Sequence, residues 1–382
     1  MKIVMIGQKG VPGKFGGVET HVTELSTRLV RAGHSVIAYA RRWYTPRTVG
    51  SAMFNGIQVV RLPSLHTKCF DTITHTLIAI VHAVIFVRPD IYHFHGVGPS
   101  LLAWMPRILA PRATVITTFH SVDRWHAKWG PLARFMLKLG ERATLTFAHT
   151  TIAVSKTIAQ YAKTEYNGTA VYIPNGITPQ RVSTDPILLE PFGLEPFGYV
   201  LMVSRLVPHK GAHTLIEAWK LAKPKGLKLA IVGGSAFTDD YVRQLEAQAA
   251  SDPSIVMTGY QSGETLGAVF AGARFVVHPS TSEGLPIAVL EAMSYGKAVI
   301  ASDIPENQEI VGDYGVTFKV NDVQDLADKI VELARDPMQA AGLGHVARTF
   351  VEDAFNWDDI AAEVLSIYRV HTLVPEGLLA LE

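Results

Sequence analysis

The clearest change of pattern in this sequence lies in the stretch Ser280-Thr-Ser-Glu-Gly-Leu-Pro-Ile-Ala-Val-Leu-Glu-Ala-Met-Ser-Tyr-Gly296. The apolar run directly before it, residues 274–278, predicts a buried strand, and the spacing of apolar residues over 285–293 predicts an amphipathic helix. A turn that contains Gly284 joins the two. A strand, a tight turn and a helix in this order are typical of a parallel α/β sheet, in which ligands bind beyond the carboxyl ends of the strands.

Two carboxylates are associated with the predicted helix. Glu283 lies just before its first turn, and Glu291 lies within the helix. The backbone N–H groups of Gly284 and Leu285 lie at the helix N-terminus, where the helix dipole attracts anions such as phosphate. Carboxylates suit hydroxyl groups rather than phosphate, so the stretch predicts a ligand that joins a sugar to a diphosphate. The alternative is a solvated helix with two acids, but the apolar neighbours of Glu291 indicate burial.

The E-x7-E spacing of the two glutamates, within HPSTSEGLPIAVLEAMSYGKAVIAS, resembles the motif of retaining GT-B glycosyltransferases of family four, the glycogen-synthase-like clan. The resemblance extends over residues 2–370. It implies an α/β fold of two Rossmann-like, doubly wound parallel-sheet domains with a cleft between them. Residues 1–182 would form an acceptor-binding domain and residues 195–355 a donor-binding domain. Residues 356–382 would form a C-terminal helix that crosses back to the first domain.

A glycine-rich loop, with four glycines from Gly10 to Gly17, follows the first predicted strand. Its pattern is neither G-x-G-x-x-G nor a P-loop. The second predicted strand ends in Arg41 and Arg42 rather than in the acid that binds a ribose, which argues against a dehydrogenase. The loop resembles that of bacterial rhamnosyltransferase-like members of the same family, which implies that Gly16 and Gly17 face the donor diphosphate.

Histidines lie at the ends of two further predicted strands, residues 90–95 and 113–119. His93 and His95 share one face of their strand, as two metal ligands would, but the sequence shows no third ligand and we predict no metal. His120 follows the next strand. The resemblance implies that it lies beside the transferred sugar, whereas the alternative is a strand-end histidine whose hydrogen bonds are satisfied.

Cationic and aromatic residues alternate after His120, at Arg124, Trp125, Lys128 and Trp129, and the predicted helix 132–143 adds basic residues on one side. We interpret this surface as the binding site of the acceptor, with an anionic membrane surface as a second partner. Ordinary surface charge with packed tryptophans is the open alternative.

The charge of the chain supports this interpretation. Residues 1–180 hold 20 Lys and Arg against 7 Asp and Glu, whereas residues 181–382 hold 15 against 27. A basic first half suits an anionic acceptor or membrane, and we expect no nucleic acid because no nucleic-acid-binding motif accompanies the charge. The apolar segment 73–87 is interpreted as a buried or interfacial helix that stops short of a spanning length.

The apolar content of 48% predicts a well-packed globular protein. The single cysteine, Cys69, excludes an internal disulfide and fits a reducing compartment. The N-terminus runs straight into a strand without the organisation of a signal peptide. We therefore expect a cytoplasmic protein that binds peripherally to the inner face of the membrane.

Arg205 and Lys210 follow the predicted strand 199–204 and resemble the R-x4-K pair of the family, which implies that they neutralise the donor diphosphate. The chain has no D-x-D motif, so no divalent ion or other cofactor is expected there. Gly233 and Tyr260 end later strands, in loops that the resemblance assigns to the nucleobase.

The resemblance implies metal-independent, retaining transfer of a sugar from a nucleotide-diphosphate sugar to a hydroxyl acceptor. Glu291 would hold the ribose hydroxyls and Glu283 the sugar. One departure is that Ile177 and Thr178 stand where many relatives have an aspartate. Two alternatives stay open: a nucleotide-sugar epimerase of the same fold, which needs no acceptor, and a non-catalytic nucleotide-sugar-binding subunit.

Overall fold

A computed structural model describes residues 1–13, 16–45, 53–67, 70–125, 129–180 and 184–373. The chain divides into two compact units. The first consists of Met1–Asn175 together with the segment that begins at Trp357, and the second is Gly176–Asn356. The division between the units falls between Asn175 and Gly176, whereas the first predicted domain extended to residue 182. Cys69 and Lys128 lie outside the described residues.

The first unit is built on an eight-stranded sheet in the order β3-β4-β2-β1-β5-β6-β7-β8. Every pair is parallel except the short β3–β4 hairpin. The central strands are buried because helices cover both faces of the sheet. The strands are β1 Lys2–Ile6, β2 Ser35–Arg41, β3 Met53–Phe54, β4 Ile57–Leu62, β5 Ile91–His95, β6 Thr114–Phe119, β7 Thr150–Ala153 and β8 Val171–Tyr172.

One face of this sheet is covered by the helices Gly17–Arg31 and Trp357–Leu373, whose apolar residues share one core with β1 and β2. Arg28 of the first helix donates to Asp358 of the last at 2.6 Å. The C-terminal helix is therefore an integral part of the first unit. The remaining α-helices of this unit are Phe70–His82, Val97–Ser100, Trp104–Leu109, Pro131–Thr146 and Lys156–Tyr166.

The helix Phe70–His82 continues as the π-helical turn Ala83–Val87 and packs on the other face of the sheet. By length and composition, the 18 residues of Phe70–Val87 are enough to cross a membrane, so the prediction of a segment too short to span was wrong. The error arose because the predicted helix began later. Core helices of soluble proteins can be equally long and apolar. Within Phe70–Val87, 33% of the residues are buried inside the protein.

The second unit contains a six-stranded, all-parallel sheet in the order β11-β10-β9-β12-β13-β14. The order reverses between β9 and β12, and such a switch point is where doubly wound sheets bind ligands. The predicted fold class is thus confirmed. The strands are β9 Tyr199–Val203, β10 Lys228–Val232, β11 Ile255–Gly259, β12 Val276–His278, β13 Val299–Ser302 and β14 Val316–Phe318.

Two predictions about the helices of this unit need correction. The helix after Gly284 spans Ile287–Ser294 and begins later than predicted, because Pro286 is its extended N-cap and disfavours helical backbone at Leu285. The residues between the two predicted domains, to which no helix was assigned, contain two short helical turns, Pro186–Leu189 and Glu190–Phe192. The other helices are Ala212–Ala222, Asp239–Ala249, Gly263–Gly272, Pro305–Val311, Val323–Arg335 and Pro337–Ala354.

Candidate functional site

Two loops meet at the switch point of the second sheet, the loop after β9 and the loop after β12. Gly211 has a φ of +73°, and a Cβ atom there would collide with the carbonyl oxygen of Pro279, so glycine permits this close approach. The N–H of Thr281 donates to the carbonyl of His209 at 2.8 Å. These contacts fix the first loop, which carries Lys210, against the loop that carries the first glutamate of the E-x7-E motif.

Lys210 and Glu283 form a buried ion pair, with 2.5 Å between Nζ and Oε1. The Nε2 atom of His278 lies 2.7 Å from the same oxygen. Burial alone would raise the pKa of the Glu283 carboxyl, but the charge of Lys210 and the hydrogen bond with His278 hold that pKa well below its usual range. Glu283 is therefore an anion, and its Oε2 makes no hydrogen bond or ion pair with the described residues.

Buried polar residues support this loop from behind. The hydroxyl of Ser302, at the end of β13, donates to the carbonyl of Ser280. The amide of Asn307 donates to the Ser302 carbonyl at 3.1 Å and lies 2.9 Å from its hydroxyl oxygen. Sequence reasoning missed His278, Ser302 and Asn307. His278 and Ser302 could have been detected, because each is a polar residue at the end of a buried strand.

Glu291 lies on the helix Ile287–Ser294, where its neighbours Val289, Leu290 and Met293 are fully buried, as predicted. The residue itself is partly exposed, and its carboxyl makes no hydrogen bond or ion pair with the described residues. Burial raises the pKa of Glu291 to about 7. The carboxyl therefore lacks a partner that would stabilise its charge, and a ligand with hydroxyl donors would supply one.

The other predicted donor residues lie on neighbouring loops of the second unit. Arg205 is exposed, and its guanidinium makes no hydrogen bond or ion pair with the described residues. Gly233 has a φ of +156° and lies against the carbonyl of Ser204, where a Cβ atom would collide. Tyr260 is half-exposed.

The turn before the helix Ile287–Ser294 contains the remaining predicted donor residues. Gly284 and Leu285 are both buried there. Pro286 follows them in extended backbone as the N-cap of the helix. The turn is thus packed into the unit, and the helix N-terminus lies next to the ion pair of Glu283.

The glycine-rich loop of the first unit is organised around Glu19, which sequence reasoning also missed. Glu19 is buried in the first turn of helix Gly17–Arg31 and accepts a hydrogen bond from the Lys9 N–H at 2.9 Å. Gly16 has a φ of +111°, and a Cβ atom there would collide with the Glu19 carboxylate. Gly17 begins the helix. The two residues before Gly16 lie outside the described residues.

Three histidines meet at the carboxyl ends of β5 and β6. The Nε2 atom of His120 lies 3.2 Å from Nδ1 of His95, and the ring of His21 lies 4.8 Å from that of His120, edge on. One nitrogen from each of the three rings lies within 4.8 Å of the other two. Burial lowers the pKa of His21 to about 4 and holds the pKa values of His95 and His120 well below their usual range.

The sequence showed His93 and His95 on one face of a strand and no third ligand beside them, but the structure places a different pair of histidines next to His95. His93 is fully buried and bonds Tyr368 at 2.6 Å and Thr118 at 2.7 Å, so both of its nitrogens are engaged in packing the C-terminal helix and β6. The third histidine, His21, comes from the helix after the glycine loop, far away in the sequence. The structure therefore groups His95 with His21 and His120.

The residues predicted to bind the acceptor have different environments. Arg124 is buried and forms ion pairs with Glu141 at 3.4 Å and with Glu165 at 3.2 Å. Its guanidinium lies 4.5 Å from the ring of Trp125, which is 65% exposed. Trp129 is partly exposed. Arg124 thus acts within the unit, whereas Trp125 is exposed enough for a partner to contact it directly.

The helix Pro131–Thr146 carries the basic residues that the sequence predicted, together with exposed apolar residues. Its basic residues Arg134, Lys138 and Arg142 are all exposed. Leu132 and Phe135 on the same helix are also exposed, at 76% and 58%. An exposed face that combines cations with large apolar side chains suits a lipid interface.

Sequence comparison assigns both halves of the chain. The family Glycosyltransferase Family 4 matches residues 15–181, and the family Glycosyl transferases group 1 matches residues 192–364. The fold and these matches define a GT-B glycosyltransferase. More particularly, the chain belongs to the glycosyltransferases of the family-four type, as its E-x7-E motif predicted.

The relatives and solved structures agree with this assignment. A GDP-mannose-dependent α-(1-6)-phosphatidylinositol monomannoside mannosyltransferase of Mycobacterium tuberculosis is 27% identical, with 97% of this chain and 98% of that protein covered. The O-antigen chain mannosyltransferase B of Escherichia coli is 28% identical over 45% of this chain and 46% of its own length. The sucrose-phosphate synthase of Thermosynechococcus elongatus has the same fold, with a TM-score of 0.83, 22% identity and coverage of 97% and 98%. Anabaena HepE in complex with UDP and glucose gives a TM-score of 0.79, 21% identity and coverage of 97% and 100%.

Proposed function

We propose that this chain is a retaining glycosyltransferase that moves a hexosyl or deoxyhexosyl group from a nucleotide-diphosphate sugar to a hydroxyl acceptor. The acceptor would be a glycan or lipid-linked intermediate of cell-envelope polysaccharide synthesis. The observation that carries the proposal is the buried contact of Lys210 with Glu283, next to the helix of Glu291. The two mannosyltransferase relatives, whose names specify a phosphatidylinositol mannoside and an O-antigen chain, support the class of acceptor.

Lys210 and Arg205 would stabilise the leaving group. As the bond between C1 of the sugar and the phosphate oxygen breaks, negative charge grows on the diphosphate, and fixed cations lower the energy of that state. The acceptor oxygen forms its bond to C1 on the same face, and its proton passes to the released phosphate oxygen. The products are the glycosylated acceptor and a nucleoside diphosphate that carries the proton of the acceptor hydroxyl.

The carboxylates and the histidine would position the sugar and the nucleoside. Glu283, held as an anion through Oε1, accepts a hydrogen bond from the sugar through Oε2 and stabilises positive charge at C1. Glu291 accepts hydrogen bonds from the ribose hydroxyls. His120 lies beside the transferred sugar.

Backbone groups complete the proposed donor site. The turn at Gly284 and Leu285 and the loop at Gly16 and Gly17 would face the diphosphate, because helix N-termini favour anions. The loops at Gly233 and Tyr260 would hold the base. No divalent ion is required in this scheme, since two cations supply the charge that a metal would otherwise provide.

Nucleotide binding without metal is the first expected result. In a thermal-shift screen of UDP, GDP, dTDP and ADP with their sugar conjugates in EDTA, one nucleotide should stabilise the chain selectively. At a concentration of 100 Kd the gain is about 2.7 kcal/mol. The matching nucleoside is the control, because it cannot contact Lys210 and Arg205 through a diphosphate. No shift with any nucleotide, or a shift that needs a divalent ion, would contradict the proposed donor site.

The selected donor then distinguishes the alternatives. Release of nucleoside diphosphate only when a hydroxyl acceptor is added supports a transferase. An epimerase would change the sugar without any acceptor, and a binding subunit would bind the donor without turnover.

We also propose that the first unit docks on an anionic membrane through the helix Pro131–Thr146. Val97–Ser100 packs against this helix, with the carbonyl of Val97 at Gly140, and lies near Phe70–Val87, with Gly98 facing Thr72. On that neighbouring segment Ile85 and Phe86 are exposed at 54% and 74%. Both the helix Pro131–Thr146 and the segment Phe70–Val87 of the first unit therefore expose large apolar side chains.

Vesicle co-sedimentation tests this docking. The chain should sediment with anionic vesicles and much less with neutral ones, because each basic residue near the surface contributes about 1 kcal/mol. The triple variant Arg134→Gln/Lys138→Gln/Arg142→Gln should remain in the supernatant. Met338→Gln removes a residue that is 81% exposed in the second unit and should sediment like the wild type. Equal sedimentation with neutral and anionic vesicles would refute the proposal.

A further inference from the structure

We propose that His21, His95 and His120 form a binding site for a late first-row transition-metal ion such as Zn²⁺. All three residues belong to the first unit, and the proposal does not depend on the proposed reaction. All three side chains are buried, with His21 and His95 at 2% exposure and His120 at 8%. Three imidazoles around one point form a ligand set that suits zinc, copper or nickel.

The distances match those that a metal requires. A tetrahedral ion with metal–nitrogen bonds of about 2.0–2.1 Å separates two ligand nitrogens by roughly 3.3 Å. The Nδ1 atom of His95 and the Nε2 atom of His120 are already 3.2 Å apart. One nitrogen from each of the three rings lies within 4.8 Å of one nitrogen of each of the other two, and binding an ion would draw the third ring in to the tetrahedral separation.

The third histidine is oriented as a metal ligand would be. The Nδ1 atom of His21 lies 2.8 Å from the side-chain oxygen of Asn175, so this nitrogen carries the proton and donates it. The lone pair is then on Nε2, which is buried and has no hydrogen-bond partner in the described chain. Ligating histidines usually donate their second N–H to an oxygen in this way. A buried acceptor without a donor is costly, and a metal ion would satisfy it.

A fourth ligand would come from outside the cluster. Among the described residues, the only group of histidine, cysteine and carboxylate atoms close enough for a metal is this trio. Three-histidine zinc sites of this kind leave the fourth position to water or to a substrate oxygen. Because metal binding would occupy the His120 nitrogen, a bound ion would compete with the sugar contact proposed for His120.

Cobalt(II) titration of the full, chelator-treated chain tests the site without any sugar or nucleotide. We expect one Co²⁺ per chain with the visible ligand-field bands of tetrahedral coordination, and displacement by one equivalent of Zn²⁺. His21→Phe keeps a planar ring and removes the ligand, so its affinity should fall by more than about 10-fold. His345→Ala removes an exposed histidine of the second unit and should change nothing.

A second variant covers the case in which His21→Phe does not fold. Asn175→Ala removes the oxygen that orients His21 and should weaken Co²⁺ binding by about 10- to 100-fold while the tetrahedral bands remain. The proposal is overturned if the wild-type chain shows no tetrahedral bands at stoichiometric cobalt. It is equally overturned if His21→Phe and Asn175→Ala bind as the wild type does, or if His345→Ala abolishes binding. Nucleotide binding in EDTA is measured separately, so failure here leaves the proposed reaction untouched.

Discussion

Replacing Lys210 by methionine is expected to lower the rate of sugar transfer by about 10²- to 10³-fold, the usual effect of removing one group that stabilises charge in a transition state. The side chain lies 2.5 Å from Glu283 and is only 13% exposed, and no other lysine or arginine among the described residues forms an ion pair with that carboxylate. The measurement is kcat with the donor selected in the nucleotide screen. Lys225→Met, which removes an exposed lysine of the same unit, is the matched control and should be fully active.

The same substitution also removes the charge that keeps Glu283 ionised. Breaking a buried ion pair by deleting one partner costs about 3–5 kcal/mol, because the other charge remains buried. Lys210→Met alone should therefore unfold at a lower temperature than the wild type. The double variant Lys210→Met/Glu283→Gln contains neither charge and should recover much of the lost stability.

Activity separates the two effects. If Lys210 and Glu283 act in the reaction, the double variant is stable and still inactive. If the pair is purely structural, the double variant regains transfer along with stability, which would contradict the roles proposed here. Substantial turnover by Glu283→Gln with an intact fold would likewise contradict an essential electrostatic role for that carboxylate.

The sequence predicted the strands well because buried parallel strands are continuous apolar runs with sharp ends. The predicted strands 90–95 and 113–119, for example, differ from the observed strands Ile91–His95 and Thr114–Phe119 only in their first residue. Helix starts were less accurate where a proline intervened, as at Pro286. The two glutamates and Lys210 could be selected from the sequence because their spacing resembles a known motif, whereas their contacts could not.

Long-range contacts left no local pattern to read. Lys210 and Glu283 are separated by 73 residues, and His21 and Asn175 by 154. In the sequence, nothing distinguishes His21 from other histidines on amphipathic helices. Only the folded sheet places the ends of β5 and β6 beside it. Likewise, the segment after His120 was interpreted as a surface that binds the acceptor, yet Arg124 is buried against Glu141, a partner that only the folded unit provides.

Replacing Glu291 by glutamine is expected to have opposite effects on stability and on nucleotide binding. In the folded chain the pKa of Glu291 is about 7, above the value of about 4.3 for an unfolded glutamate. The folded state thus holds the carboxyl proton more tightly than the unfolded state does. The resulting contribution to the free energy of unfolding is fully present below about pH 4.3 and is lost as the pH rises through 7. Above pH 7 the ionised carboxylate costs the free chain on the order of 1–3 kcal/mol, a cost that Glu291→Gln avoids.

The nucleotide reverses this balance, because ribose hydroxyls would donate hydrogen bonds to the ionised carboxylate. Such charged hydrogen bonds contribute about 1.5–3 kcal/mol, so Glu291→Gln should bind the nucleotide about 10- to 150-fold more weakly at pH 8. Wild-type affinity should increase as the pH rises through 7, and the affinity of Glu291→Gln should not respond there. Calorimetric titration at pH 6 and pH 8 measures the nucleotide affinity of the wild type and of Glu291→Gln. Thermal unfolding at the same two pH values measures their stability. Glu217→Gln, on an exposed position of helix Ala212–Ala222, should behave as the wild type. If Glu291→Gln is more stable at pH 8 but binds nucleotide normally, the ionised Glu291 carboxylate only destabilises the chain. That result would exclude Glu291 from the donor site.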